Sequence, residues 1–369
     1  MRHGWRVARR QVTDAVQRLA LTLQPRGLIL VYHRVAAVQC DPLLLCVRPE
    51  NFLAHMEIIR RKFHPLSLHA LRGSMDTGIP ERAVAVTFDD GYADNLFHAA
   101  PGLRSAGVPA TVFFSPGLAR VGSYGDRLKT ILLETRSLPE RMEIQIMGNR
   151  HAWDFGRWKD LPDEPGETYW AWNMEMEGCP SPRHRAFRDL HRMMRSMTGE
   201  ERTRLLAQIE SQAGGPFPGR EEDRFLTMEE LQEISRDGII RLGAHTMSHP
   251  VLCRRSLAEQ RAEMQESKRI LEQQTGAAVD SFAYPYGSPW DVSAQTVDLV
   301  RQTGFFLACA NTPGQVTRFS DPYWLPRWLV RDWSGEEFEK KIESFLFPVV
   351  VRAPVGCLSG VTAQPLLPD

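Results

Sequence analysis

The sequence predicts an α/β protein, a (β/α) barrel interrupted by an inserted subdomain. Three observations point there. Short apolar runs rich in β-branched residues alternate with stretches of helical periodicity, which argues for parallel strands joined by crossover helices. Polar residues of distinctive chemistry sit just past the carboxyl ends of several runs, where a (β/α) barrel keeps its active site. Between residues 121 and 224 the alternation stops, and from Leu226 it resumes.

Taken in order, Val12, Ala15, Val16, Leu19 and Leu23 recur at helical spacing among Arg2, Arg6, Arg9, Arg10 and Arg18. Residues 1–26 are therefore expected to form a basic amphipathic helix, either packed on the domain or lying at an anionic membrane surface. Residues 27–346 carry the barrel. Gly27 to Val35 reads as a strand delivering His33, and a lone histidine there is usually a structural one. Pro49 to Lys62 reads as a helix whose basic end complements its dipole. Leu66 to Leu68 and a turn over residues 73–80 lead to the strand before Asp89. Asn95 to Ala106 is a helix stopped by Gly107-Val108-Pro109, and Ala110 to Phe114 is the next strand.

Residues 121–224 hold Trp153, Trp158, Trp170 and Trp172 and read as a lid or subdomain at the barrel rim. The tryptophans are expected mainly to build its own small core, with one available to a sugar ring. Thr198 with Glu201 forms a capping-box pattern, and Ser256 with Glu259 forms another ahead of a seam of Leu257, Met264 and Leu271. Thr227 starts a helix ending near Arg236. Phe282 to Tyr284 and Phe305 to Ala310 are strands, while Val292 to Thr303 and Trp333 to Phe345 are helices. Residues 347–369 form a tail too short to span a membrane.

Composition narrows the classes. A chain of 369 residues that is 43% hydrophobic can bury a large core, and 45 basic residues balance 45 acidic ones, so nothing advertises nucleic-acid binding. The six cysteines, at 40, 46, 179, 253, 309 and 357, contain no C-x-x-C pair, which favours free thiols in a reducing compartment. No uninterrupted apolar stretch of signal length stands near the start. A cytoplasmic location, with contact to a membrane at most peripheral and through residues 1–26, is the expectation.

The chemistry concentrates in two places. Val84 to Phe88 ends in Asp89-Asp90-Gly91, and two adjacent carboxylates disfavour each other's ionisation unless a cation sits beside them. Solvated carboxylates in a turn are the plain alternative. Beyond Ile239 to Leu242 come His245 and His249, four apart, which on one face of a helical turn can converge on a divalent ion; a hydrogen-bonded helix start is the plain reading. Asp90, His245 and His249 together would make a two-histidine, one-carboxylate site with open positions, suited to zinc or another first-row metal in hydrolysis. No G-x-S-x-G occurs.

Thr87 to Tyr92, His245 to His249 and Phe282 to Gly287 resemble, in order and interval, the first three signature motifs of the polysaccharide deacetylases, the NodB-homology group or carbohydrate esterase family four. The resemblance covers roughly residues 28–120 and 225–345. It implies a distorted (β/α) barrel of about seven strands, with Asp90, His245 and His249 holding the metal and Asp89 as general base. It also implies a backbone N–H at Tyr286 facing the oxyanion. Tyr32-His33-Arg34-Val35 is similar to the opening of a circularly permuted branch whose catalytic histidine has moved to the first strand, which makes His33 the candidate general acid. No histidine follows His249. The family's third motif opens with an arginine where this chain has Ser281 and Phe282. Arg327 is the candidate to replace it beside Asp89, the alternative being an arginine paired at the surface.

The implied activity is metal-dependent removal of an N-acetyl group from an amino sugar in a glycan, a lipid-linked saccharide or a small glycoside. A deformylase or related amidase on a modified sugar would use the same machinery. A catalytically silent carbohydrate-binding protein is the reading from another class, and it leaves the motif residues without a purpose. Oligomeric state is not legible.

Overall fold

The computed structural model describes residues 26–146, 148–217 and 219–347. The expected helix of residues 1–26 and tail of 347–369 lie, but for Arg26 and Phe347, outside the described residues, as does Cys357. Among the described residues seven parallel strands run in series through the central sheet, β1 (Gly27–Tyr32), β2 (Ala83–Phe88), β3 (Ala110–Phe114), β4 (Ile240–Ala244), β5 (Ser281–Ala283), β6 (Leu307–Cys309) and β7 (Trp328–Leu329), and the two residues His64–Pro65 pair in parallel with the start of β2. The spatial order of the seven is β6-β5-β4-β3-β2-β1-β7. A bridge between Cys309 and Leu325, with Leu325 N–H donating to the Ala308 carbonyl and Ala310 N–H to the Leu325 carbonyl, both at 2.9 Å, brings the segment leading into β7 against β6. The curled sheet is thus drawn together as a distorted (β/α) barrel.

Every residue of β1, β2 and β3 is buried, as expected of strands covered on both faces. Side chains alternate between two cores. Leu28, Leu30, Val84, Val86 and Phe88 face the surrounding helices. Ile29, Ala83, Ala85, Phe113, Ala283 and Leu307 fill the interior together with Leu68, Leu71 and Met75.

The last three belong to a helix, Leu68–Thr77, that plugs the amino end of the barrel, and it corrects the turn expected over residues 73–80. Ser67 caps it by accepting from Ala70 N–H at 3.1 Å, and the burial of Leu68, Leu71 and Met75 outweighs the cost of about 1 kcal/mol for Gly73 in its interior. Capping boxes form at Thr198, Thr227 and Ser256, and Gly214 and Gly276 end their helices in the left-handed conformation. Of the seam expected on the Leu257–Thr275 helix, Met264 and Leu271 are buried whereas Leu257 is 44% exposed.

The inserted stretch has helices Tyr124–Leu128, Pro182–Arg195 and Gly199–Ala213 and an antiparallel hairpin, Arg141–Ile146 with Asn149–Asp154. Trp153 and Trp172 are buried in its own core with Leu128, Ile131, Phe187, Leu190 and Ile209. Among the described residues no helix is long and apolar enough to cross a membrane, and Cys40, Cys46, Cys179, Cys253 and Cys309 are free thiols.

Candidate metal centre and active site

Three strands deliver the site at their carboxyl ends. β2 runs into Asp89 and Asp90, β4 into His245, and β5 into Tyr284-Pro285-Tyr286. The backbone is bent sharply there. Among the described residues six non-glycine residues have positive φ, and four of them, Asp90, Thr246, His249 and Tyr286, are in these loops. Such conformations persist only where the surroundings enforce them, and they cluster at working sites. Gly91 is forced as well, since its φ is +82° and a Cβ there would lie 2.3 Å from Phe114.

The two histidines do not lie on a helical turn, contrary to expectation. Residues 245–250 are an irregular loop, because Thr246 and His249, at φ +63° and +53°, cannot continue a right-handed helix. Glu263 holds the loop by accepting from the N–H groups of Met247 and Ser248, both at 2.8 Å, and Thr246 Oγ1 accepts from His249 N–H at 3.1 Å.

The loop still brings the three expected ligands together. Nε2 of His245 and of His249 lie 3.5 Å and 3.3 Å from Asp90 Oδ1, and one donor atom from each residue falls within 4.8 Å of the others. His245 Nδ1 donates to the Ala283 carbonyl at 2.8 Å, so its Nε2 carries a lone pair rather than a proton when the ring is neutral. That lone pair faces Asp90 Oδ1, a buried atom with no hydrogen-bond partner of its own. Two buried acceptors turned toward each other require a proton or a cation between them. The donor set fits a divalent ion of the zinc class.

Asp89 points elsewhere. Arg327 grips it with both arms of its guanidinium, Nη1 to Oδ1 at 2.7 Å and Nη2 to Oδ2 at 2.6 Å, while Nε donates to the Ala310 carbonyl at 2.9 Å. Arg327 is 0% exposed, which removes the surface-pair alternative. Burial alone would raise the Asp89 carboxyl, but Arg327, with His245 and His33, overrides it and holds Asp89 below the usual carboxylate range.

His33 follows β1 and lies among Asp90, Asp89, Arg327 and His245, whose charges act on its ring. Burial lowers its pKa against the opposing pull of the two carboxylates, and its Nδ1 is buried without a partner. The next residue, Arg34, is buried and bonds Asp94 at 3.0 Å and Asp223 at 2.6 Å, tying the loop after β1 to the end of the insertion.

Sequence reasoning missed the insertion's own contribution. Tyr124 Oη lies 3.2 Å from Tyr286 Oη, Arg202 donates to the His249 carbonyl at 3.1 Å, and the Arg195 guanidinium sits 4.6 Å from the centre of the Tyr286 ring. That ring in turn packs edge-on to His249 at 4.8 Å. Helical spacing shows these residues only as parts of the insertion, and nothing local marks them as neighbours of the barrel mouth.

Fold and site together define a (β/α)-barrel protein with an Asp-His-His cluster and a second, arginine-held carboxylate at the mouth. The sequence profile of the polysaccharide deacetylases matches residues 77–168 and 192–308, more than half of the chain, and the chain belongs to that family. A curated relative, YxkH of Bacillus subtilis (strain 168), named "Putative polysaccharide deacetylase", is 28% identical over 120 residues, which are 32% of this chain and 42% of that protein's length. Among solved structures, the deacetylase PplD of Streptococcus pyogenes, in complex with acetate, aligns over 87% of this chain and 99% of its own with a TM-score of 0.54 at 16% identity. IcaB of Ammonifex degensii aligns over 87% and 98% with a TM-score of 0.50 at 16% identity. At such identities these are likenesses of fold.

Proposed function

We propose that this protein is a metal-dependent hydrolase that removes the N-acetyl group from an amino sugar. The observation that carries the reading is the lone pair of His245 Nε2 turned onto the unpartnered Oδ1 of Asp90, beside a carboxylate kept ionised by Arg327. Family membership supports a carbohydrate substrate with an N-acyl group, whether glycan, lipid-linked saccharide or small glycoside.

Asp90, His245 and His249 would hold a divalent ion, zinc first, which supplies Lewis acidity for the acyl carbonyl and acidifies water at the site. Asp89, oriented by the two-armed grip of Arg327, is placed to take the proton of the attacking water. The backbone N–H of Tyr286 is the candidate donor to the oxyanion, a role in which a fixed dipole contributes about 3 kcal/mol. His33 would protonate the departing amine. Burial makes its cation a stronger acid than free imidazolium, so a proton it acquires is readily passed on. As in the permuted branch, the acid would thus come from the first strand. A cytoplasmic location with peripheral membrane contact belongs to this reading.

The test is metal analysis with acetate release from N-acetylated saccharides. The purified protein is expected to carry a stoichiometric divalent ion. His245→Ala should strip it, Asp89→Asn should cut acetate release by about 10²-fold or more, and His33→Ala should slow turnover with the metal retained. Metal loss in His33→Ala would make His33 a ligand. Formate in place of acetate would make the enzyme a deformylase, and wild-type activity in Asp89→Asn would end the hydrolase reading.

A further inference from the structure

The helix Pro182–Arg195 carries five arginines and no lysine. Arg183 is turned into the insertion and bonds backbone carbonyls there. The other four, Arg185, Arg188, Arg192 and Arg195, recur at intervals of three and four and so share one face opposite the buried Phe187, Leu190 and Met194. Between the first and last the helix rises about 15 Å.

This row ends at the candidate active site. Arg195 packs on the Tyr286 ring, which touches the ring of His249. Its contact with Asp291, at 2.7 Å and 2.8 Å, fixes the guanidinium at the rim with 40% of the side chain still exposed. Farther out the charge is less compensated. Arg185 and Arg192 are exposed and form no ion pair among the described residues, and Arg188 bonds neutral carbonyls at Glu177 and Gly178. The helix's one carboxylate, Asp189, accepts from the Trp153 indole at 3.0 Å. Trp290, next to Asp291, is 62% exposed although its backbone is held by its own N–H donating to Ser288 Oγ at 3.3 Å and its carbonyl accepting from Cys253 Sγ at 3.1 Å.

We infer that this row of arginines is a subsite for a phosphate group on the substrate, so that the N-acylated sugar enters joined to phosphate, with Trp290 available to the apolar face of its ring. The inference rests on the deacetylase reading and narrows its substrate class. Guanidinium forks match phosphate oxygens, and a phosphate at the sugar's anomeric carbon puts the anion within a few ångströms of the reacting amide, where Arg195 stands.

Calorimetric titration tests it, using N-acetylglucosamine, N-acetylglucosamine 1-phosphate and an N-acetylated disaccharide carrying glucuronate as probes. The phosphate probe is expected to bind about 10-fold or more tightly than the neutral sugar, with the advantage shrinking as salt rises. In Arg192→Gln/Arg195→Gln, which removes the two guanidinium groups at the inner end of the row and whose affinity for the neutral sugar should stay unchanged, most of that advantage should vanish, whereas Arg185→Gln, about 15 Å farther out, should keep it. An undiminished advantage in the double variant would place the phosphate on the metal centre and overturn the inference. So would equal binding of the phosphate and neutral probes, or a preference for the glucuronate probe alone. Because titration reads binding without turnover, absence of acetate release from the wild type would defeat the deacetylase reading separately.

Discussion

Asp89 and Arg327 stand 238 residues apart in sequence, yet they meet through two hydrogen bonds in a buried pocket. In the proposed reaction Asp89 must be ionised to act as a base and fixed to act on one water, and a planar fork does both, whereas an ammonium supplies charge without the second bond. Arg327→Lys is therefore expected to keep the metal, lower acetate release by about 10-fold or more, and cost about 1–3 kcal/mol in urea unfolding. Unchanged turnover would mean that the charge suffices without the fork. At this scale the sequence was informative for groups next to a recognisable strand end. Asp89, Asp90, His245 and His33 could each be named there, and the displaced third-motif arginine could be sought among later strands. Tyr124 could not be named, because its contact with Tyr286 spans 162 residues and depends on how the insertion folds back.

The insertion is fastened to the mouth by buried cations. Arg202, 5% exposed, donates to the carbonyls of Met194, Arg195 and His249, and its guanidinium lies over Tyr124 at 4.7 Å. Lys129 and Arg34 share Asp223 at the insertion's return. Removing Arg202 leaves several acceptors unsatisfied at once, while removing a surface cap leaves one donor to water. Arg202→Ala should thus cost about 2–4 kcal/mol in urea unfolding and Thr198→Ala about 1 kcal/mol. Equal losses would show the docking to be energetically idle. Caps and helices were legible at this scale because they are local. The loop of residues 245–250 was misread as a helical turn, since the i, i+4 spacing of its histidines is equally satisfied by a backbone that passes twice through positive φ. The helix Leu68–Thr77 was hidden by Gly73, and only its place beneath the barrel explains it.

Over the whole molecule, two buried histidines make stability depend on acidity. Burial pushes His55 down to about 4 despite its hydrogen bond to the Trp333 carbonyl, and it pushes His184 in the insertion core down to about 4 as well. A histidine in the unfolded chain titrates near 6.5, so on acidification the unfolded state takes up these protons first. The stabilising contribution is complete above about pH 6.5 and is lost progressively as pH falls toward 4, on the order of 3 kcal/mol for each residue. Urea midpoints measured from pH 7 to 4.5 should fall accordingly, and His55→Gln should flatten the slope relative to its own value at pH 7. A slope unaffected by that change would assign the acid sensitivity elsewhere.

The seam of the barrel lies between β6 and β7, where the Cys309–Leu325 bridge draws the two edges together, and this orders events during synthesis. Arg327 leaves the ribosome long after Asp89, so until then the growing polypeptide holds an acidic group without its guanidinium partner at the heart of an unsealed ring. Completion of the buried Asp89–Arg327 pair is in this way deferred to the final stage of translation, and a nascent chain arrested before Trp324 should remain open to protease.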